Sequence, residues 1–507
     1  MVDTAPHRCN IFVFDLLKHI GVDSKHVWSR KVAQVFPRGD ADLHRWMHNS
    51  QYSAEAWVMR ALDKHPWRVD SEAKADLNFI RINATLLSES GIIGGLVIAR
   101  KILGELYKSG NLTAPPAIVL ANTRGTWDEG APGRTILFAD SHQGIPMAHN
   151  QWATTGVMPY VQSKPELAVT AHGKPSPMLR EVARNLPAWA QRPLLFFVGH
   201  VPKVTISATR WNIWAAVHNE KDVTTRSHSV HCTVGQFAIC EDPKRLQNVT
   251  VSGEFQTYCH EMCKTPSDPR IRYTDGRVLP APCRGRNGNG LMADCKKIHA
   301  KGVRLTPALI EALHESRRAT RAQVARGDTS NCSGAFASTG CTRAKLPFAK
   351  WAAEAMQHRF CVVAAGDYPG TPKIAEFALF GAAGGCIPLV VVSAAAEPAR
   401  HTLPFRRWFD WCDYAYLVSD RANFTRILQR LRRVTADEAA AKHAALARIR
   451  RAFYWEPPFD MPDGSRRMSP AEIIIAEACA IAREIKAGTL PHGTPTSRTS
   501  VKRCLMA

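Results

Sequence analysis

The chain has 507 residues, of which 45% are hydrophobic and 22% charged, with a formal net charge of +22. That length exceeds what one hydrophobic core sustains, so two or three domains are expected, and the composition is that of a globular protein. No apolar run reaches the roughly 18 residues of a membrane-spanning helix, and Met1 to Asn10 lacks the apolar core of a signal peptide.

In chain order, Asn10 to Leu17 reads as a buried first strand. Ser53 to Asp63 reads as an amphipathic helix with Ser53 as its N-cap. Ala75 to Ile82 is a second strand, Gly94 to Tyr107 a second helix, and Ala117 to Ala121 and Thr135 to Ala139 are further short apolar runs. Arg192 to Val201 (RPLLFFVGHV) opens another α/β unit. Regular signals resume with a helix from Leu346 to Met356, a strand from Phe360 to Ala364 and a helix from Pro372 to Phe380. Strands follow at Ile387 to Val392 and Tyr414 to Val418, then helices at Ala436 to Phe453 and Ser469 to Ala487. Alternation of strand and helix at this spacing argues a parallel α/β sheet. The Pro/Ser/Thr-rich tail after Gly488 reads as disordered.

The basic residues lie in short groups, such as Arg430, Arg432 and Arg433, and no helix-turn-helix, zinc-finger or RNP signature accompanies them. A basic enzyme whose substrate carries phosphates is preferred over a nucleic-acid binder. Eight of the fourteen cysteines fall between Cys232 and Cys341, in a stretch with little periodicity. Cys259-His260-x-x-Cys263, with His228 and His231 upstream, could hold zinc, but no second tight cysteine pair appears. Disulfides are preferred, supported by sequons at Asn83, Asn111, Asn248, Asn331 and Asn423. The last four residues, from Cys504, fit a prenylation pattern, read here as a chance match in the tail. Cys361 and Cys386 read as small core residues. The one Asp-x-Asp, Asp40-Ala41-Asp42, reads as a solvated loop.

Chemistry concentrates in Phe360 to Phe377 (FCVVAAGDYPGTPKIAEF). A strand ends in a turn containing Gly366 and Asp367, and a helix follows with Thr371 as candidate N-cap. Ligands in open α/β sheets bind at the carboxyl ends of strands, where a helix N-terminus offers free N–H groups to phosphate. Lys373 could neutralise a diphosphate, and Glu376 could accept from ribose hydroxyls. The same residues also fit a plain strand–loop–helix with a solvated lysine and glutamate.

The segment resembles the signature of exostosin-type glycosyltransferases. The matching residues are Phe360-Cys361-Val362, Gly366-Asp367-Tyr368-Pro369, Lys373 with Glu376, Gly385-Cys386-Ile387-Pro388-Leu389, Leu403-Pro404-Phe405 and Asp413-Tyr414. The N-terminal part is similar to the family at Tyr52 to Leu62, Ala75 to Phe79, Phe138 to Gly144 (FADSHQG) and Arg192 to Gly199. Two departures are Lys373, where the family has Arg, and about four extra residues between Glu376 and Gly385, close to one helical turn.

The resemblance implies a GT-B-like α/β fold, two Rossmann-like domains facing a cleft, with a Cys-rich insertion. Residues 1–190 would form the acceptor side and 191–460 the nucleotide-sugar domain, interrupted at 228–345; residues 461–507 would be a C-terminal helix and disordered tail. It implies an inverting transferase taking a nucleotide diphosphate sugar, UDP-linked, with no bound metal or other cofactor and a glycan or glycoprotein acceptor. Arg210, beside Lys373 and the helix N–H groups, would meet the donor phosphates. Asp140 and His142 are candidates for the general base, and Glu55 is a further cleft candidate. No nucleic acid is expected as partner, and an oligomer or a complex with other glycosyltransferases would fit. The implied place is the Golgi lumen, membrane-associated, although no anchor is visible in this chain. The alternative is an inactive scaffold of the same fold that binds glycan or nucleic acid through its basic charge.

Overall fold

The computed structural model describes residues 9–15, 40–49, 53–81, 117–121, 135–139, 153–157, 161, 164–169, 173–198, 208–217, 220–226, 233–234, 237–238, 348–364, 371–392, 403–455, 469–489 and 504–506. They form an α/β structure built on two parallel sheets.

The first sheet contains β1 (Ile11–Asp15), β2 (Leu77–Arg81), β3 (Ala117–Ala121), β4 (Thr135–Ala139) and β5 (Ala153–Val157), side by side in that order. Each neighbour pair is parallel, as apolar strands joined by long crossovers require. Among the described residues two helices precede β2: α1 (Asp40–Asn49) and α2 (Ala54–Asp63). Ser53 stands at the N-cap of α2, but its hydroxyl donates to the Met47 carbonyl at 2.6 Å rather than capping the helix. The indole N–H of Trp57 donates to that same carbonyl at 3.1 Å, so Met47 fastens the end of α1 to the start of α2. Asp40 opens α1, which corrects the reading of Asp40-Ala41-Asp42 as a loop.

The second sheet has the order β13-β12-β11-β10-β6-β7. Its strands are β6 (Leu195–Val198), β7 (Val223–Arg226), β10 (Phe360–Val363), β11 (Ile387–Val392), β12 (Tyr416–Ser419) and β13 (Leu505–Met506), all parallel. A short antiparallel pair, β8 (Thr233–Val234) and β9 (Phe237–Ala238), lies between β7 and β10 in sequence. The expected strands at 360–364, 387–392 and 414–418 are present within two residues, while β5, β7, β8, β9 and β13 were not foreseen. The chain leaves β6 towards β7 on one side and resumes at β10 on the other, so the strand order reverses between β6 and β10.

The remaining helices among the described residues are α3 (Pro177–Arg184), α4 (Ala208–Val217), α5 (Phe348–Met356), α6 (Lys373–Ala382), α7 (Trp411–Tyr414), α8 (Phe424–Arg432), α9 (Ala436–Ile449) and α10 (Pro470–Lys486). Every residue of α6 from Ile374 to Ala382 is buried, as expected for a helix between a sheet and a second helix. Helix α9 packs against it at Gly381, where a Cβ would lie 2.6 Å from Leu446. Helix α6 ends in a Schellman turn: Gly384 has φ +88°, and the Gly385 and Gly384 N–H groups donate to Phe380 and Gly381.

All six cysteines outside the 232–341 stretch are paired: Cys9–Cys479, Cys361–Cys386 and Cys412–Cys504. Two expectations are corrected here. Cys361 and Cys386 are buried as foreseen, but they are cross-linked rather than free core residues. The end of the tail is ordered, because Cys504 is tied to Cys412 and β13 pairs with β12. A prenyl acceptor at Cys504 is incompatible with that bond. The helix at Gly94 to Tyr107 and the Cys259/Cys263 constellation lie outside the described residues. Among the described residues, no helix is long and apolar enough to cross a membrane.

Helix α10 joins both sheets' surroundings. Cys479 bonds Cys9 just before β1, Glu472 meets His65 at 3.1 Å, and Lys486 reaches Asp76 at 3.3 Å. On the other side, Arg407 grips Glu484 with two bonds of 2.9 and 3.0 Å. The Cys9–Cys479 bond spans 470 residues, so removing it frees a very long loop in the unfolded chain. A double Cys9→Ala, Cys479→Ala variant is expected to lose about 2–4 kcal/mol in denaturant unfolding. Limited proteolysis of that variant should cut first near residue 9.

His443 supplies a pH signature. Its Nε2 donates to the Gly385 carbonyl at 2.9 Å, and its ring meets Trp189 edge-on at 5.9 Å. Burial, with a smaller push from Arg192, lowers its pKa from 6.5 to about 4 despite the Gly385 bond. The folded state thus disfavours the imidazolium. Stability should be intact above about 6.5 and fall as pH drops towards about 4, by at most about 1.4 kcal/mol per pH unit for this group. His443→Gln, which keeps a donor for Gly385, is expected to flatten that part of the stability–pH curve in urea titrations.

Candidate functional site

The carboxyl ends of β6 and β10 mark the reversal of strand order, the place where open α/β sheets bind ligands. The connection leaving β6 leads to α4, which carries Arg210. The connection leaving β10 leads to α6, which begins at Lys373. Arg210 donates from its guanidinium to the Ala364 carbonyl at 3.2 Å, directly after β10. The resemblance placed Arg210 near the donor phosphates, and the structure sets it against the strand that precedes the Gly366 turn.

At the start of α6, Pro372 occupies the N-cap position with helical dihedrals and no side-chain cap. Thr371, foreseen as the cap, sits one residue earlier, where its hydroxyl accepts from the Lys373 N–H at 3.4 Å. It is buried, so the hydroxyl orders the first turn rather than facing solvent.

Glu376 departs most from expectation. Its side chain is only 3% exposed, and each carboxylate oxygen accepts from a lysine: Oε2 from Lys373 at 2.7 Å and Oε1 from Lys164 at 3.3 Å. Glu376 therefore anchors two cations instead of presenting an open carboxylate to a diol. Both ammonium groups also rest on aromatic faces of α5, Lys373 over Trp351 and Lys164 over Phe348, each 4.1 Å from the ring centroid. Trp351 in turn stacks on Phe377 of α6 at 5.9 Å. The aromatic pair thus fixes the height at which the lysines sit.

Lys164 was not foreseen. It lies 212 residues from Glu376, beside the short 3₁₀ turn Pro165–Leu167. That turn is anchored by buried Leu167 and by Ser176, whose hydroxyl donates to the Glu166 carbonyl while it caps α3. A lysine in a short turn gives no periodic signal. Only the folded chain brings it to α6.

Gly366, Asp367, Asp140 and His142 lie outside the described residues. Glu55 is buried on α2, which fits the packing role its helix could equally serve. The site thus brings together Thr371, Lys373, Glu376 and the unforeseen Lys164, with Arg210 held at the end of β10. Two lysines on one carboxylate leave a local excess of positive charge, suited to a phosphate-bearing ligand. In comparisons with protein-family models and with curated proteins, the chain matches none.

The shared carboxylate makes the two lysines interdependent. Lys164→Ala or Lys373→Ala alone leaves Glu376 one partner, whereas the double variant strands a nearly buried charge. The double variant is expected to lose about 3–5 kcal/mol, more than the two single losses added, in a denaturation cycle over the four proteins. Glu376→Gln placed on the double variant should recover most of that loss.

Proposed function

We propose that this chain is an inverting glycosyltransferase that moves a sugar from a nucleotide diphosphate sugar to a glycan or glycoprotein acceptor. The observation that carries the reading is the placement of Arg210, bonded to the Ala364 carbonyl after β10, and Lys373, at the start of α6, on the two connections leaving the switch point of the six-stranded sheet. A nucleotide in that crevice would direct its diphosphate to both cations and to the N-terminus of α6. The exostosin-type resemblance names the same residues. In this reading the two parallel sheets are the Rossmann-like domains of a GT-B fold, with the first sheet on the acceptor side.

The reaction asks little covalent chemistry of the protein. The acceptor oxygen bonds the anomeric carbon as the bond from that carbon to the diphosphate oxygen breaks, with inversion. The acceptor proton passes to a base on the acceptor side, Asp140 or His142. Charge building on the departing diphosphate is met by Arg210 and Lys373. The two-lysine arrangement suits this task. Lys373 can turn to phosphate while Lys164 still neutralises Glu376, so no step exposes a bare buried carboxylate. The three disulfides support an oxidising compartment of the secretory pathway, in keeping with a Golgi enzyme.

A thermal-shift panel of uridine and guanosine diphosphates and their sugar conjugates tests the reading. One uridine-linked compound is expected to stabilise the protein by about 2.7 kcal/mol at a hundredfold excess over its dissociation constant. Arg210→Ala and Lys373→Ala should each remove most of that shift. A folded sample that no nucleotide diphosphate stabilises would leave the inactive-scaffold alternative in its place.

A further inference from the structure

We propose that Asn423 carries an N-linked glycan. The residue opens the sequon Asn423-Phe424-Thr425 and is the only one of the five sequon asparagines among the described residues. Two independent observations raise it above a chance tripeptide. The first is compartment. Six cysteines from widely separated parts of the chain are joined in three disulfides, which persist where the environment is oxidising. N-glycans are added in that same pathway.

The second is geometry. Asn423 and Thr425 are both exposed, while Phe424 between them is buried and holds the turn in place. Asn423 is the N-cap of α8, extended at φ −75° and ψ 101°, and its Oδ1 accepts from the Arg426 N–H at 3.3 Å. The cap uses only the carbonyl side of the amide. Nδ2 makes no hydrogen bond among the described residues and belongs to an exposed side chain. A sugar on Nδ2 leaves the oxygen free to keep capping, so the modified residue performs the same structural task.

The chemistry is a group transfer without oxidation or reduction. Nδ2 of Asn423 bonds the anomeric carbon of a lipid-pyrophosphate-linked oligosaccharide. The bond from that carbon to the pyrophosphate oxygen breaks, the lipid pyrophosphate departs, and the amide gives up one proton. The co-reactant and the transferring enzyme belong to the host pathway, and nothing in this assignment depends on the donor site of the chain itself.

The full chain, isolated from the cells that make it, is reduced, treated with peptide-N-glycosidase in heavy-oxygen water and digested with trypsin. The peptide from Ala422 to Arg426 is expected to carry heavy-oxygen-labelled aspartate at position 423. Recovery of that peptide solely with unmodified asparagine overturns the proposal. Thr425→Ala destroys the sequon and leaves the Asn423 cap untouched. In the same cells it should raise electrophoretic mobility by one glycan, and an unchanged mobility likewise overturns the assignment. A thermal transition equal to that of the parent confirms that the variant is folded when the comparison is made.

Discussion

One face of α10 holds this structure together. Glu472, Cys479 and Lys486 recur every seven residues, and seven residues bring a helix back to within about 20° of its starting direction. The three therefore form a single stripe, and each makes a different kind of bond to the beginning of the chain. Glu472 meets His65, Cys479 is bonded to Cys9, and Lys486 reaches Asp76. His65 accepts the Trp67 N–H on Nδ1, so its proton sits on Nε2 and is donated to Glu472. Asp76 also accepts the Asn10 N–H, which links the foot of β2 to the foot of β1. The last long helix is thereby part of the first sheet's support, and Arg407–Glu484 ties the same helix to the neighbourhood of the second.

Much of the second sheet is legible from sequence because its strands are short apolar runs bounded by glycine and proline. β10 and β11 read correctly since both faces of a covered parallel sheet are buried, which removes alternation and leaves a continuous apolar signal. α6 reads correctly for the same reason. What escapes is anything decided by adjacency. Cys361 and Cys386 each look like core residues, and they pair because β10 and β11 lie side by side. β13 is two residues long and becomes a strand only where Cys504 is fastened to Cys412 and Leu505 lies opposite Leu417. Ser53 has the right residue type and position for a cap, yet its hydroxyl donates to the Met47 carbonyl and its oxygen accepts from no N–H of the helix.

The candidate site divides along the same line. Lys373 is visible because it follows a strand, a glycine turn and a proline, and Arg210 because it follows β6 at a recognisable distance. The partnership of Glu376 with Lys164 is not visible, because it depends on where a short turn 212 residues away comes to rest. Phe405 adds a second instance. It has φ 59°, a costly value for an aromatic residue, within the Leu403-Pro404-Phe405 match. The surroundings enforce it: the side chain is buried, the Trp411 indole donates to the Pro404 carbonyl at 2.8 Å, and the Phe405 carbonyl accepts from Trp408 and Phe409. A motif letter records the residue and not the strained backbone that the fold imposes on it.

These dependencies bear on how the chain reaches its folded state. The closures made by Cys9–Cys479 and Cys412–Cys504 span 470 and 92 residues, and both need segments synthesised near the end. The cost of closing a loop rises only slowly with its length, so such separations are thermodynamically tolerable. They are demanding in time, since non-local contacts reward the chain only after the loop has closed. The first sheet can pair its strands early, yet the stripe of α10 that braces His65, Cys9 and Asp76 arrives last. Until then the apolar side of α2, against which α10 packs, lacks that cover. A covalent bond in the middle of the stripe makes the late docking lasting: once Cys479 has found Cys9, the flanking His65–Glu472 hydrogen bond and Lys486–Asp76 ion pair form at high effective concentration. The disulfide and the heptad spacing are thus one device, with the bond fixing the register that the flanking polar pairs then read.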